Sequence, residues 1–291
     1  MQFTRLGDHI CELGESPVWD ERRALLFFVD IQAPAIHAIG LDGTGLLTWP
    51  MPNVVGSIGL TESGRLIAGL KHDLALFDPG TGDLQPFARL PADEPGDTRL
   101  NDGKVGPDGA FWVGTMHDVD DRQPVAALYR VGPDGVVTRH VEGLRVSNGL
   151  AFSPDGKWMY HSDTRGYWLD RWDFSAADGA IGNRTRIAEF DRSIGLSDGG
   201  ATDANGLYWS AGIYGGRLNC FTGGGELASW YPVPVPAPTM ACFCGPDLRM
   251  LAVTSLRTGD VASQLDRFPE SGGLFIAHAP VAGSPVPRMP L

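Results

Sequence analysis

The sequence predicts an all-β protein, a six-bladed β-propeller of four-stranded antiparallel blades around a central channel, with residues 1–291 forming a single domain. Two observations predict it: an excess of turn-forming residues, and a turn-and-strand unit that recurs at a near-constant step. Glycine (39) and proline (22) together exceed a fifth of the 291 residues without collagen-like periodicity, while 43% of residues are hydrophobic. A chain that can bury a large core yet turns this often is built of short strands.

The units follow one another along the chain. Asp20-Glu21-Arg22 leads into the apolar residues 24–28, and Glu62-Ser63-Gly64 into 65–69. Pro107-Asp108-Gly109 leads into 110–114, Pro154-Asp155-Gly156 into 157–160, Ala204-Asn205-Gly206 into 207–210, and Gly245-Pro246-Asp247-Leu248 into 249–253. Proline presets φ and glycine accepts positive φ, so these are tight turns. With Arg22, Gly64, Gly109, Gly156, Gly206 and Leu248 taken as equivalent, the steps are 42, 45, 47, 50 and 42 residues. Each step also holds a third strand, such as "LALFD" or "GRLNCF", and a further turn, such as "DPGTGD". Six units of roughly 40–50 residues with about four short strands each are the signature of a propeller. A β-sandwich with accidental turn similarity is the rival, and six consistent repeats outweigh it. Ring closure is expected from the leading "QFTRLGDHI", which precedes the first full unit and pairs with "GGLFIAHAP" of the last, removing an exposed sheet edge.

Other features set bounds. No Ser/Gly tract, charge block or low-complexity run marks a linker. The start "MQFTRLGDHICELGES" lacks the basic opening and apolar run of a signal peptide, and no apolar stretch is long enough to span a bilayer, so a cytoplasmic location is expected. Cys11, Cys220, Cys242 and Cys244 match no zinc or redox spacing and read as reduced core thiols. The net charge of −12 argues against a nucleic-acid partner. A monomer or weak oligomer is expected.

One phase of the repeat carries polar residues where a buried strand favours β-branched apolar ones. Asn148, Asp198 and Asn101 each lie eight residues before the turn glycine of their unit, and Glu15 lies seven before Arg22. Equivalent offsets mean equivalent places on the innermost strand, so these four side chains converge on the channel. The remaining two units place Gly56 beside Ser57 and Met240 beside Thr239 there, none of them charged. Isolated carboxylates in a narrow channel are costly unless paired or bound to a cation. Glu15, Asn148 and Asp198 offer only oxygen ligands, which suits Ca²⁺, Mg²⁺ or Mn²⁺ better than zinc. For any one of these residues a water-lined channel is the plainer account; for the set, matched offsets and complementary chemistry favour a metal site.

At these residues the chain resembles the regucalcin (senescence marker protein)/gluconolactonase family of six-bladed propellers. The likeness rests on "LGESPVW" (13–19), "RLNDGKVGPDGAFWVGTM" (99–116), "SNGLAFSPDGK" (147–157), "SDGGATDANGLYW" (197–209) and "GGLF" (272–275). The resemblance implies a carboxylic ester hydrolase, a sugar lactonase converting an aldonolactone of the gluconolactone, xylonolactone, arabinonolactone or galactonolactone type to its aldonic acid. It implies one divalent ion (Ca²⁺, Mn²⁺, Mg²⁺, Zn²⁺ or Fe²⁺) held by Glu15, Asn148 and Asp198. Arg99 and Asn101 match the family's substrate contacts. Two departures bear on substrate preference: Ser197 stands where the family usually has proline, and the segment after Met116 reads His117-Asp118-Val119-Asp120-Asp121, from which His117 and Asp118 are candidates to face the sugar.

The implied chemistry uses the metal as Lewis acid on the lactone carbonyl, with Asp198 as ligand and general base. The alternative keeps Asp198 purely as a ligand, the metal itself activating the water. Three of the four substrate candidates have a plainer account: for Arg99 an ion pair with Asp97 or Glu94, for Asn101 a loop cap, for His117 an ordinary loop histidine. Asp30 and Asp163 read as strand-end turn residues, and tryptophans such as Trp19, Trp112 and Trp209 as blade packing. The rival functions are a propeller aryl-ester or phosphotriester hydrolase and a non-catalytic calcium-binding propeller.

Overall fold

Each recurring turn joins the first two strands of a four-stranded antiparallel sheet, and six such sheets make up the computed structural model, which describes residues 1–291. Blade I takes residues 14–50, blade II 55–89, blade III 98–144, blade IV 147–189 and blade V 196–232. Blade VI combines residues 238–278 with the N-terminal strand Thr4–Ile10, which lies antiparallel on Gly273–His278 with Thr4 opposite Ile276. The chain therefore closes the ring with its own first strand, as the sequence predicts.

The first strands of the blades, Gly14–Asp20, Val55–Leu60, Thr98–Val105, Ser147–Phe152, Leu196–Thr202 and Pro238–Cys244, pack side by side around the axis, and the sixth returns to the first. They are buried almost throughout, whereas fourth strands such as Leu84–Arg89 and Leu227–Pro232 alternate toward solvent. Cores form between neighbouring blades. Trp209 of blade V meets Phe243 of blade VI edge-on at 5.4 Å, and Trp112 of blade III meets Phe152 and Phe174 of blade IV at 6.4 and 5.8 Å. These contacts are the blade packing expected of the tryptophans, and all four cysteines are free and buried.

The repeat is more regular than its turns indicate. The second strands begin at Leu25, Leu66, Phe111, Trp158, Tyr208 and Met250, each ten residues after Glu15, Gly56, Asn101, Asn148, Asp198 and Met240. Glu15 thus stands at the same offset as the other three polar residues. The position in blade I equivalent to the turn glycines is Arg23 rather than Arg22, because this turn runs on to Ala24 at φ 54°.

All six turns lie at one end of the channel, and the C-terminal residues 282–291 cross that end. Ser284 N–H donates to Thr202 O of blade V at 3.0 Å, and the Met289 and Glu62 amides bond across blade II. Pro285, Val286 and Pro287 lie against Lys104, Ala151 and Cys242 and leave only about 40 Å³ open beneath the channel. Arg288 fastens this strap: it donates to Asp20 at 2.6 Å and Glu21 at 2.9 Å, while Arg23 pairs with the other oxygen of Asp20 at 2.7 Å. Asp20 has no exposed surface. Burial pushes its carboxyl up, but the two guanidiniums outweigh this and hold it below the usual range. Asp20→Ala would remove the buried carboxylate shared by Arg288 and Arg23 and leave Arg288 only the exposed Glu21; breaking a buried pair costs up to about 3–5 kcal/mol, and thermal melts at neutral pH are expected to show a loss. Because the folded-state pKa is depressed, the contribution is present above the unfolded carboxyl pKa of about 3.9 and disappears as pH falls through the folded value.

Candidate active site

The channel residues sit where every first strand departs from regular pairing. The register shifts between Glu15 and Val18, Leu100 and Gly103, Asn148 and Ala151, and Ser197 and Gly200. A bulge inserts an unpaired residue and re-aims side chains, so each blade can present a polar group to the axis without unpairing the strand that follows. Blades II and VI contribute none for a steric reason. A Cβ on Gly56 would lie 2.4 Å from the Leu100 carbonyl oxygen, and Met240 fills the space above Gly199, 2.4 Å from where its Cβ would be.

Glu15, Asn148 and Asp198, each under 10% exposed, line a cavity of about 290 Å³ at the channel end opposite the strap. Arg99, Asn101 and Asp118 line the same cavity, together with Arg122, Thr164, Arg165 and Tyr214. Asn148 is held from both sides. Its Nδ2 donates to Thr164 Oγ1 at 2.8 Å, Thr164 donates on to Ser197 O at 2.7 Å, and Asn101 Nδ2 donates to Asn148 Oδ1 at 3.1 Å. The amide oxygen keeps one lone pair free for a cation. Ser197, where proline was the usual residue, joins Ser162 and Ser210 through hydroxyl bonds of 3.0 Å beneath Asp198.

Asn101 itself is nearly saturated. Both its N–H groups are used, the second on Ser147 O at 2.9 Å, and Oδ1 accepts from Arg99 at 2.8 Å. Arg99 is buried, and its Nε faces Asp118 Oδ1 at 3.4 Å, so its ion-pair partner is neither Asp97 nor Glu94. His117 does not reach the cavity. Its Nδ1 accepts from the Gln123 amide at 2.8 Å and its Nε2 is 3.0 Å from Asp97 Oδ2. Strand alternation explains the outcome: Met116 and Asp118 point inward, and His117 between them points away. The expected sugar contact by His117 is corrected accordingly. Asp30 and Asp163 behave as strand-end residues, each accepting from four backbone amides, two in its own turn and two in the segment that enters the first strand of its blade.

Two further channel groups lie beside the predicted set. Asp102 accepts the Leu150 amide of blade IV at 2.8 Å, and its other oxygen is buried without a partner. Lys104 donates to Gly200 O at 2.7 Å, its ammonium pushed toward neutrality by burial. Burial, then the charges of Asp198 and Asp102, push the Glu15 carboxyl well above the usual range. Burial and Asp102 do the same to Asp198. Three buried carboxyls at such close quarters, one oxygen orphaned and every ligand candidate an oxygen, fit a hard divalent cation.

Fold and channel together define a six-bladed propeller with an acidic, one-ended binding cavity on its axis. The chain belongs to the SMP-30/gluconolactonase/LRE-like family, whose model matches residues 13–257. It is 38% identical over 276 residues to a 6-deoxy-6-sulfogluconolactonase of Pseudomonas putida, covering 94% of each chain. It is 32% identical over 274 residues to human regucalcin, covering 91% of this chain and 90% of that one. The structure superposes on a regucalcin of Agrobacterium tumefaciens, described as a calcium-binding protein, with a TM-score of 0.91 at 26% identity, covering 99% of this chain and 97% of that one.

Proposed function

We propose that this protein is a metal-dependent sugar lactonase that hydrolyses an aldonolactone to the aldonic acid. The carrying observation is the convergence of Asn148 with Glu15 and Asp198, whose carboxyls burial and neighbouring carboxylates push upward, in a cavity large enough for one sugar ring. A hard divalent ion held by those three would supply Lewis-acid polarisation of the lactone carbonyl. Asp198 takes a proton from the attacking water, whose oxygen bonds the carbonyl carbon. The ring C–O bond then breaks, and the proton passes to the departing ring oxygen, leaving a hydroxy acid. Arg99 directs guanidinium donors at the substrate's hydroxyls or developing charge. Asn101 acts chiefly by positioning, since it locks both Asn148 and Arg99. Asp118 holds Arg99 in place at the cavity wall.

The wall also carries a specificity signal. Arg99, Arg122 and Arg165 face the cavity against the single carboxylate of Asp118, so a positive mouth stands over an acidic interior. This polarity suits a lactone that carries an anionic group remote from its carbonyl, the chemistry that the name of the Pseudomonas relative describes. Charged hydrogen bonds contribute about 1.5–3 kcal/mol, so Arg165→Ala is expected to lower kcat/KM for an anionic lactone about 10- to 100-fold and leave neutral gluconolactone within a few-fold.

A proton-release assay on neutral and anionic aldonolactones, against a buffer blank, tests the reading. Activity should vanish on chelation and return with a single restored divalent ion. Flat traces with metal bound would point instead to a calcium-binding propeller. Turnover confined to aryl esters or phosphotriesters would move the assignment to that class of hydrolase, which the polar lining disfavours.

A further inference from the structure

A second cluster of ligand groups lies away from the channel, where the ring closes. His9 and Cys11 stand two residues apart at the end of the N-terminal strand, and His37 lies on Ala35–Ile39, the third strand of blade I. One ring nitrogen of each histidine and the Cys11 Sγ lie within 4.8 Å of one another. The two imidazoles are 4.4 Å apart between centroids. Cys11 and His37 are each 3% exposed, while His9 is half-buried and opens the cluster to solvent on one side.

What sets the cluster apart from ordinary packing is its unmet bonding. His9 Nε2 and His37 Nε2 are both buried without a hydrogen-bond partner. The His37 ring is oriented from behind by Thr48, whose Oγ1 lies 3.0 Å from Nδ1. With Nδ1–H donating to that hydroxyl, the Nε2 lone pair is left bare, the arrangement an outer partner gives a metal-binding histidine.

We infer that His9, Cys11 and His37 form a zinc site that staples the ring-closing N-terminal strand to blade I, with a solvent molecule in the fourth position. Zinc takes nitrogen at about 2.0–2.1 Å and thiolate at about 2.3 Å, so three ligands already within 4.8 Å close on it by side-chain rotation. Binding expels the Cys11 thiol proton to solvent, giving the thiolate that the ion needs. The site differs in kind from the channel, whose ligands are all oxygens, and it makes no use of the lactonase reading. Because the two strands are held together only in the folded ring, the ion would stabilise the native state.

Cobalt(II) titration of the chelator-stripped full chain is the test, since only a thiolate ligand gives a near-ultraviolet sulfur-to-cobalt charge-transfer band. The band is expected in the wild type and in Glu15→Gln, and absent in Cys11→Ala and His37→Gln. Zinc should raise the Tm of the wild type more than that of His9→Gln, a half-exposed substitution that leaves the core intact. Metal analysis should find one fewer zinc per chain in His9→Gln, with lactone turnover unchanged. No thiolate band in folded wild type at saturating cobalt, or a band that survives in Cys11→Ala, would overturn the assignment.

Discussion

Asp198→Asn is expected to fold normally and lose about 10³-fold in lactone turnover, within the range that removal of a general base produces. The substitution keeps the shape of the side chain while removing its charge and its basicity. The fold should tolerate it well. Burial and the neighbouring Asp102 already press the Asp198 carboxyl toward its neutral form, so an amide relieves repulsion inside the channel of the metal-free protein. Thermal melts of chelated samples should therefore show a Tm at or above that of the wild type, while initial rates collapse. Turnover within a few-fold of wild type would remove Asp198 from the chemistry.

Deleting residues 1–12 is expected to abolish the soluble folded state. The segment contributes Phe3, Leu6 and Cys11 to buried clusters, and full burial of a Phe or Leu side chain stabilises by about 1.5–3 kcal/mol. With the lost strand pairing the total reaches about 5 kcal/mol or more, comparable to the whole stability of many domains. The deletion also bares Gly273–His278, an apolar strand that now lies between two partners. An unpaired edge of this composition invites association between chains. Size-exclusion chromatography and circular dichroism of the shortened chain decide the matter; a monomer with native strand content would show that closure is dispensable.

The fold was legible because its punctuation is local. A turn residue such as Gly109 or Gly206 takes positive φ whatever surrounds it, and the turns repeat at nearly even steps. The channel set was legible for the same reason, since Glu15, Asn148, Asp198 and Asn101 hold one offset from the second strand. What escaped depends on departures from regularity. Asp102 follows Asn101 directly, and strict alternation would turn it away from the axis; the irregular register between Leu100 and Gly103 is invisible without the partner strand. His117 was misplaced because its neighbours settle which way the strand end faces. The strap and the pairing of His9 and Cys11 with His37 join parts of the chain with no common pattern. Nothing short of the closed ring brings them together.

The strap crossing the turn end has a consequence for traffic. A tube open at both ends could take in one molecule while releasing another, but this one is blind. On the proposed reaction, whatever is formed at the base would leave past the arginines it entered by, carrying the carboxylate that hydrolysis creates. Departure and arrival share one doorway, and the departing species is the more anionic of the two at a positively charged sill. If the chain hydrolyses a lactone as proposed, the clearing of that doorway would bear on turnover as much as the bond-breaking beneath it once product accumulates.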